Sequence, residues 1–334
     1  MTAFDTNGLS AIYYTVNGSD YAIGNGTSSQ LNLGAWSSLP DDGAFTIYFT
    51  AIDSVGNENS TLFLELYKDI IAPTIIINTP MSSQINGSDA PDFDVVITDS
   101  HLNATWYQLV NETVQTDNQT FSYGVDSVID QASWDVIGNG TLSIIFYAND
   151  SAGNLFNENV SMFKDIIAPY VFINQPINNS EWSIAPTLNI SVLEGNLENL
   201  EYWVYSQSIG WLNSTIANNT PTPLDASIWS ALTNEPFQIH VNASDFAGNW
   251  NNSLQLWLIK DTNAPSIIIN EPVNNSMWDE PPTFNISIFE ENTFDRFWYE
   301  VAGTTYPLVN GSSIQLDAGA WASLPDEGTF TVLI

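Results

Sequence analysis

The sequence predicts an all-β protein, built as a linear rod of tandem β-sandwiches of about 96 residues each. A stretch of the form Lys-Asp-x-x-Ala-Pro occurs at residues 68–73, 164–169 and 260–265, so each copy begins 96 residues after the previous one. Apolar and polar residues alternate along several parts of each repeat, which is the period of a strand with one buried face. Turn residues separate these parts, and no helical period is present.

The period divides the chain into four segments. Residues 73–168 and 169–264 are predicted to be complete domains, each long enough for one core. Residues 1–72 begin at a sequence that matches the end of the second strand in later segments, so we expect a partial domain without its first strands. Residues 265–334 end inside a strand, so we expect a partial domain without its last strands.

Residues 169–264 show the first elements in order. Val171 to Ile173 predicts a short strand that ends at Pro176, because proline cannot donate a hydrogen bond to a neighbouring strand. Leu188 to Val192 alternates and predicts the second strand. Tyr202-Trp203 marks a third, aromatic strand, in which one ring faces the core and the other faces outward. A tryptophan that we expect to cap the core follows in each segment, at Trp36, Trp134, Trp229 and Trp321.

The next strand has the clearest pattern, because the apolar residues from Phe237 to Ala243 alternate with polar ones. It leads into an Asp-x-x-Gly-Asn turn at residues 245–249. Glycine there supplies a positive φ, and aspartate accepts hydrogen bonds from its own turn. A last strand runs to the lysine. About seven short strands in such a repeat are typical of a two-sheet sandwich.

The charge is strongly unbalanced, with 38 acidic residues, four basic residues and a formal net charge of -34. This field repels phosphate, and the chain has no basic patch, so nucleic acid is excluded as a partner. The same field attracts cations. Cysteine is absent, which excludes disulfide bonds and thiolate metal sites. The 44% hydrophobic content is typical of a folded chain.

Asn-x-Ser/Thr triplets begin at 19 of the 37 asparagines, which predicts N-linked glycans and an exported protein. Asn189, Asn242 and Asn285 lie between apolar residues of predicted strands and should face outward. Ten others, including Asn86 and Asn213, fall in apparent loops. An unmodified Asn-rich composition is the alternative. The candidate positions are Asn17, Asn25, Asn59, Asn86, Asn103, Asn111, Asn118, Asn139, Asn149, Asn159, Asn178, Asn189, Asn213, Asn218, Asn242, Asn251, Asn274, Asn285 and Asn310.

The chain begins without the basic and apolar regions of a signal peptide, and no apolar run approaches the ~18 residues of a membrane span. Because the glycosylation triplets nevertheless indicate export, we expect the chain to be part of a longer exported protein.

Two motifs carry a resemblance to a known family. Residues 148–154 and 243–249 have the form Ala-x-Asp-x-Ala-Gly-Asn, and each is followed by Asp-x-x-Ala-Pro. This order resembles the immunoglobulin-like (Big-type) tandem repeats of bacterial and archaeal cell-surface proteins. The resemblance implies immunoglobulin-like sandwiches at a cell surface. Phe45 stands where immunoglobulin domains have a corner tyrosine, so we expect that the corner hydrogen bond is lost.

Acidic residues recur at the predicted junctions between segments. The linker, the loop after the second strand and the turn after the sixth strand share one pole of a sandwich. Oxygen ligands in this number suit Ca²⁺. The predicted ligands are Asp69, Asp99 and Asp150 at the first junction, Asp165, Glu194 and Asp245 at the second, and Asp261 and Glu290 at the third.

Two other interpretations of these positions remain open. In the simpler interpretation, the turn aspartates bond only their own backbone, and an exposed lysine beside each linker aspartate neutralises the acidic pole of the sandwich. In the other interpretation, the lysine forms a covalent bond with an asparagine, which requires that the lysine is buried and uncharged. Trp182 and Trp278 share one loop position, where packing against the next domain competes with stacking on a sugar. Catalysis is not expected, because His101 and His240 lie in different segments and no nucleophile motif is present.

Together these observations predict an extracellular structural or adhesive repeat region of a large surface glycoprotein: a stalk, adhesin, surface-layer or filament component. The expected partners are neighbouring domains, further copies of the chain, and other surface proteins or glycans. Ca²⁺ and N-linked glycans are the expected non-protein groups. Two alternatives stay open, an array of glycan- or protein-binding modules and the spacer domains of a secreted hydrolase.

Overall fold

The computed structural model describes residues 1–292 and 295–334. The chain forms two compact units, Met1–Ile167 with Phe246–Asn249, and Ala168–Asp245 with Trp250–Ile334. Strands account for most of the ordered elements, and the helices are short, so the predicted all-β class is confirmed. Within the residues described, no helix has the length and apolar character needed to cross a membrane.

The first segment, residues 1–72, forms one antiparallel sheet of order β2-β1-β3-β4 and a short helix that covers part of one face. Tyr14, Val16 and Ile47 form the core with Ala35 and Leu39. The elements are β1 (Leu9–Val16), β2 (Ser19–Ala22), α1 (Leu33–Ser38), β3 (Asp42–Asp53) and β4 (Glu58–Asp69).

The second segment, residues 73–168, has two sheets around one core, of order β10-β7-β5 and β6-β12-β11-β8-β9. The first strand ends before Pro80, and the chain then crosses to the other sheet, where β6 pairs in parallel with β12. The elements are β5 (Thr74–Thr79), β6 (Ile85–Asn86), β7 (Asp92–Thr98), β8 (Leu102–Val110), β9 (Gln119–Thr120), β10 (Ser127–Val128), α2 (Gln131–Asp135), β11 (Gly140–Asp150) and β12 (Leu155–Lys164).

The third segment, residues 169–264, repeats this topology with sheets of order β13-β15-β18 and β14-β20-β19-β16-β17. Its β14 again pairs in parallel with the last strand, β20. The elements are β13 (Tyr170–Gln175), β14 (Ser180–Trp182), β15 (Thr187–Leu193), β16 (Leu197–Ser206), β17 (Gly210–Thr215), β18 (Thr222–Pro223), α3 (Ala226–Ala231), β19 (Pro236–Asp245) and β20 (Trp250–Lys260).

The fourth segment, residues 265–334, has sheets of order β21-β22-β25 and β24-β23-β26. Phe284, Ile286 and Tyr299 lie in its core. The elements are β21 (Ser266–Glu271), β22 (Thr283–Phe289), β23 (Trp298–Val301), β24 (Thr304–Pro307), β25 (Ser313–Gln315), α4 (Ala318–Ala322) and β26 (Val332–Leu333).

Each segment has its own hydrophobic core, and each sheet of the described chain takes its strands from one segment. In the second and third segments the first, third and sixth strands (β5, β7 and β10 in the second) face a sheet built around the fourth, seventh and eighth (β8, β11 and β12), as in immunoglobulin domains. The predicted tandem immunoglobulin-like sandwiches are therefore confirmed.

The predicted alternation and turns are also confirmed. Phe237, Ile239, Val241 and Ala243 are all buried, because successive side chains of a strand point to opposite faces. The turn glycines adopt the positive φ that the motif predicts, with +94° at Gly153 as an example.

The sequence did not predict the short helices, and each of the four tryptophans lies in one of them. Trp134 is fully buried, so it is part of the core and not a cap over it. Each helix begins after an Asn or Asp whose side chain accepts from backbone N–H groups of the first turn, at Asn32, Asp130, Asp225 and Asp317. A helix of five or six residues is too short to show a 3.6-residue period.

A buried tyrosine of the aromatic strand fixes the start of each helix. The Tyr107 hydroxyl accepts a hydrogen bond from the N–H of Asp130 at 2.7 Å, and the Tyr202 hydroxyl accepts one from Asp225 at 2.9 Å. Burial raises the pKa of both tyrosines. A tyrosine hydroxyl thus bonds to the backbone in these domains. This tyrosine lies in the aromatic strand and not at the corner position of Phe45, where we expected the tyrosine hydrogen bond of immunoglobulin domains to be absent.

Candidate cation site at the first junction

The three lysines of the repeated stretch are buried, so the prediction that they are exposed beside the linker aspartates is wrong. The exposed fraction is 2% for Lys68, 3% for Lys164 and 9% for Lys260. Each ammonium group donates to two carbonyl oxygens at the end of the helix in its own segment. These acceptors are Trp36 and Leu39, Trp134 and Ile137, and Trp229 and Leu232.

Each ammonium group also lies over a tryptophan ring, at 5.2 Å for Lys68, 5.0 Å for Lys164 and 4.6 Å for Lys260. Burial lowers the pKa of Lys164, against the attraction of Asp135. Within the described chain, these contacts hold the lysines on main-chain carbonyls and not on the Asn side chain that a covalent Lys–Asn bond needs. The lysines therefore bind the helix ends at the edge of each core and do not pair with the linker aspartates.

The turn aspartates accept hydrogen bonds from their own turns, as the simplest interpretation predicts. Asp150 Oδ1 accepts from the N–H groups of Ala152 and Asn154, both at 2.9 Å, and Oδ2 accepts from Asn154 Nδ2 at 2.7 Å. Asp53 makes the same contacts in the first segment. Burial alone raises the pKa of each carboxyl, but these hydrogen bonds outweigh it and the pKa lies below the ordinary value.

The structure brings the three predicted ligands of the first junction together. Asp69, Asp99 and Asp150 each place one carboxylate oxygen in a group whose members all lie within 4.8 Å of one another. Asp99 Oδ1 also accepts from the N–H of His101 at 2.7 Å, and Asp69 Oδ1 accepts from that of Ile71 at 3.1 Å. These carboxylates come from a linker, a loop and a turn, as expected.

Asp69 carries a carboxylate oxygen without a hydrogen-bond donor. Its side chain is only 6% exposed, and its Oδ2 is shielded from solvent and accepts no hydrogen bond. A buried charged oxygen without a donor is costly unless a cation or a donor compensates it. Asp69 Oδ2 is thus the atom of this cluster that still has an acceptor position open to a cation.

A second group of possible ligands shares Asp69. His101 Nδ1 lies 3.4 Å from Asp69 Oδ2 and 3.8 Å from Asp42 Oδ1. The sequence predicted no role for His101, because the two histidines lie in different segments and no catalytic motif surrounds either of them. The contact depends on residues 59 positions apart, Asp42 and His101, so local patterns give no signal for it.

The other two junctions are described within their own units. Asp165 belongs to the first unit and Glu194 and Asp245 to the second, and their predicted association stays a prediction. Asp165 Oδ1 accepts from the N–H of Ile167 at 3.1 Å, and Glu194 Oε1 accepts from that of Gly195 at 2.6 Å. Asp245 is fully buried.

At the third junction both oxygens of the linker aspartate are satisfied. Asp261 Oδ1 accepts from the N–H of Asn263 at 3.0 Å, and its Oδ2 accepts from Asn292 Nδ2 at 2.8 Å. Glu290 Oε1 accepts from the N–H groups of Glu291 and Asn292. The acidic residues of this junction therefore already have protein donors.

None of the 19 candidate glycosylation asparagines is buried; twelve are exposed and seven are half-buried. Asn86 and Asn213 lie in strands β6 and β17, so the prediction that they fall in loops is wrong. Three others use their side-chain amide to pair with the backbone: Asn25 with Ala3, Asn218 with Val192, and Asn310 with Ile288. A glycan replaces one amide hydrogen, so it would compete with these pairs.

The two loop tryptophans make contacts within their own segments. Trp182 Nε1 donates to Ser180 Oγ at 2.7 Å, and its ring packs against the core of the third segment. Trp278 Nε1 donates to Ser276 Oγ at 2.6 Å, and 45% of the residue is exposed. Trp182 thus packs on the core of its own segment, and packing on the next domain and stacking on a sugar both stay predictions for the two loop tryptophans.

No family model matches the sequence, and no curated protein matches it. Solved structures with similar folds include a Ca²⁺-stabilized ice-binding adhesin from an Antarctic bacterium, at 16% identity over 96% of this chain and 82% of that one, with a TM-score of 0.35. A 1.5-MDa bacterial ice-binding adhesin matches at 14% identity over 77% and 87%, with a TM-score of 0.36. Immunoglobulin domains 1–4 of Sidekick-1 match at 14% over 75% and 67%, with a TM-score of 0.30. Identities and scores this low leave the function open.

Proposed function

We propose that the chain is an extracellular repeat region of a large surface glycoprotein, acting as a stalk, adhesin, surface-layer or filament component. The observation that carries the proposal is the repetition of one self-contained unit. Each of the first three segments closes its own core with a buried lysine on a short tryptophan helix. Domains that are joined in series and have separate cores carry the same force and unfold one at a time, and each interacts only with its neighbours. The proposal includes no catalysis.

Single-molecule stretching of the whole chain tests this proposal. Residues 73–168 and 169–264 should unfold in separate events, each converting one folded domain into about 320–350 Å of extended chain, because an extended residue spans about 3.3–3.6 Å. A single event that releases both segments together would contradict the proposal. N-glycosylation is tested separately by the intact mass of the protein from its natural source before and after enzymatic removal of N-glycans.

Ca²⁺ binding at the first junction is part of this proposal. Asp69, Asp99 and Asp150 supply three of the about six to eight oxygens that Ca²⁺ takes, and backbone carbonyls and water supply the rest. The donor-free Oδ2 of Asp69 fits such an ion. A bound ion would join the linker and the second segment, which stiffens the junction.

Chelation followed by thermal unfolding tests this ion. In a buffer whose only divalent cation is Ca²⁺, EDTA should lower the Tm of the wild-type chain, and Asp99→Asn should remove that effect. Asp53→Asn is the matched control, because Asp53 has the same turn bonds as Asp150 but is not one of the three clustered carboxylates, so EDTA should still lower its Tm. Equal melting with and without EDTA would exclude a structural Ca²⁺.

Glycan binding is a second candidate function, favoured by an aromatic cluster on the outer face of the third segment. Trp211 is 48% exposed and lies 4.9 Å from Tyr205, 6.4 Å from Trp203 and 4.8 Å from His240, measured between ring centroids. Polar groups are adjacent, since Trp203 Nε1 donates to Glu201 Oε1 at 2.7 Å. Exposed rings beside hydrogen-bonding groups form the kind of surface on which sugars stack.

A glycan array probes this alternative. Binding that is lost in Trp211→Ala and Trp203→Ala but kept in Trp257→Ala would support it, because Trp257 is 43% exposed but takes no part in the cluster. Arrays that give the same signal for all these variants would exclude the cluster as the binding site. A spacer role in a secreted hydrolase is a further alternative, which a catalytic domain elsewhere in the full reading frame would favour.

A further inference from the structure

We propose that the first junction holds a transition-metal site for Zn²⁺, formed by Asp42, Asp69 and His101. This site is distinct from the Ca²⁺ group, which uses Asp99 and Asp150 with the same Asp69. The proposal does not depend on Ca²⁺ binding or on glycosylation. It assigns a function to the one histidine that lies at a junction.

The first argument is that two facing polar atoms lack partners. Asp69 Oδ2 and His101 Nδ1 are both shielded from solvent, neither makes a hydrogen bond, and they lie 3.4 Å apart. The side chain of Asp69 is 94% buried, as its exposed fraction of 6% shows. A cation that both atoms bind would satisfy these two buried polar atoms, which face each other without a hydrogen bond.

The second argument is the spacing of the three ligand atoms. Zn²⁺ binds His nitrogen at about 2.0–2.1 Å and carboxylate oxygen at about 2.0–2.2 Å, so two ligands at the tetrahedral angle are about 3.4 Å apart. His101 Nδ1 is 3.4 Å from Asp69 Oδ2 and 3.8 Å from Asp42 Oδ1. Small side-chain movements would therefore suffice to place all three atoms on one ion, and water would take the fourth position.

The third argument is that contacts outside the ligand set already orient the ligands. Ser100 Oγ donates to Asp42 Oδ2 at 3.1 Å, which leaves Oδ1 toward the histidine. The Tyr67 ring packs on the imidazole with centroids 4.4 Å apart. The backbone of His101 is fixed too, because its N–H donates to Asp99 and its carbonyl oxygen accepts from Ser151. Such outer contacts orient metal ligands and raise affinity.

The donor set favours Zn²⁺ over Ca²⁺. Imidazole nitrogen suits Zn²⁺ and related transition metals, whereas Ca²⁺ prefers oxygen ligands alone. Asp42 and Asp69 come from the first segment and His101 comes from the second, so the ion would cross-link the two. Because Asp69 has one free oxygen, Zn²⁺ and Ca²⁺ should compete for it.

Calorimetric titration of the metal-free full-length chain with ZnCl₂ tests the proposal. We expect one saturable site in the wild type and an affinity more than about 10-fold lower in His101→Asn, since even loss of an outer contact typically costs 10–100-fold. Asparagine occupies the corresponding position in the later segments, at Asn196 and Asn292, so this variant should fold. The matched control is His240→Asn, which changes the other histidine and should bind like the wild type.

Two further measurements separate the outcomes. Asp99→Asn should weaken Ca²⁺ binding but not Zn²⁺ binding, whereas Asp69→Asn should remove both, so failure of one site is distinguishable from failure of the other. In histidine-selective NMR spectra, Zn²⁺ should shift Nδ1 of His101 and leave His240 unchanged. Equal Zn²⁺ affinity in wild type and His101→Asn, or the absence of a saturable site, would overturn the proposal and leave only a His–Asp ion pair.

Discussion

The first and third junctions use the same linker aspartate and differ in what faces it. Asp69 and Asp261 both bond their own linker through Oδ1. Oδ2 of Asp261 accepts a hydrogen bond from Asn292 at 2.8 Å, whereas Oδ2 of Asp69 faces His101 Nδ1 at 3.4 Å without a hydrogen bond. Where Asn292 donates a hydrogen bond to the linker aspartate, His101 does not, so Oδ2 of Asp69 is left without a hydrogen-bond donor.

A second difference points the same way. Asn234 precedes β19 at the third junction, and its Oδ1 accepts from the N–H of Thr262 at 3.2 Å. The corresponding residue at the first junction is Asp42, whose Oδ1 faces His101. Where the third junction has two asparagines that satisfy the linker, the first has an aspartate and a histidine, which are metal-binding residue types. The comparison teaches that two positions of the repeated framework decide whether the linker aspartate is hydrogen-bonded or open.

The largest effect on stability is expected at the buried lysine, which the segments before the first and the third junction share. The second segment has the same lysine, Lys164. Lys164→Met should lower the free energy of unfolding by about 2–6 kcal/mol, because it leaves two buried carbonyl oxygens without a donor at about 1–3 kcal/mol each. Zn²⁺ and Ca²⁺ affinity should be unchanged. Denaturant unfolding with calorimetry checks both, and Arg296→Met, which removes an exposed charge, is the control. Loss of metal affinity in Lys164→Met would show that metal binding at the first junction depends on the core of the second segment.

The next effect is a gain of function at the third junction. Asn234→Asp combined with Asn292→His should raise the number of bound Zn²⁺ ions from one to two, because it copies the residue types of the first junction onto equivalent positions. The single variant Asn292→His supplies one new ligand fewer and should bind more weakly. Mass spectrometry under native conditions counts the ions. A chain that still binds one ion would show that the substitutions alone do not explain the difference.

A smaller effect, of opposite sign at the two junctions, is expected when the linker aspartates are changed in metal-free buffer. Asp69→Asn should stabilise the chain by about 1 kcal/mol, because it removes a shielded charge that has no donor. Asp261→Asn should destabilise it by about 1 kcal/mol, because the Asn292 amide loses its charged acceptor. Urea unfolding curves measure both values. Destabilisation of equal size in both variants would mean that Asp69 is already compensated.

The smallest effect concerns the turn aspartates in acid. The pKa values of Asp53 and Asp150 are lowered by folding, so their contribution to stability is complete above the ordinary value of 3.8 and is lost as the pH falls through the folded value below it. Asp53→Asn and Asp150→Asn should flatten the loss of stability in this range to a similar extent. Only Asp150→Asn should also weaken Ca²⁺ binding. Different acid slopes would show that the junction carboxylates alter the titration of Asp150.

The strands were predictable because their signal is local. Phe237 to Ala243 alternates in sequence and is buried at alternate positions in the structure. The turn at Asp150 was predictable for the same reason, since its donors lie within four residues. The three carboxylates of the first junction followed from placing each motif on the topology of one sandwich.

The buried lysines were missed because a lysine was judged by its charge and not by its register. Val160, Met162 and Lys164 occupy alternate positions of one strand and are all buried, so period two already placed the lysine on the core side. Its partner, the helix around Trp134, is too short to predict by periodicity. The contact of His101 with Asp42 and Asp69 joins two segments, and no pattern within one repeat specifies it.

The burial of the lysines has a chemical consequence for the whole surface. Three of the four basic side chains of the chain are enclosed, and Arg296 is the one that lies open. Trypsin cleaves after lysine or arginine and needs an accessible, mobile backbone, so the folded chain offers it almost no target. Reagents that acylate amines would likewise find the amino terminus and little else. A protein outside the cell with this surface would persist among proteases of trypsin specificity for as long as its cores stay closed.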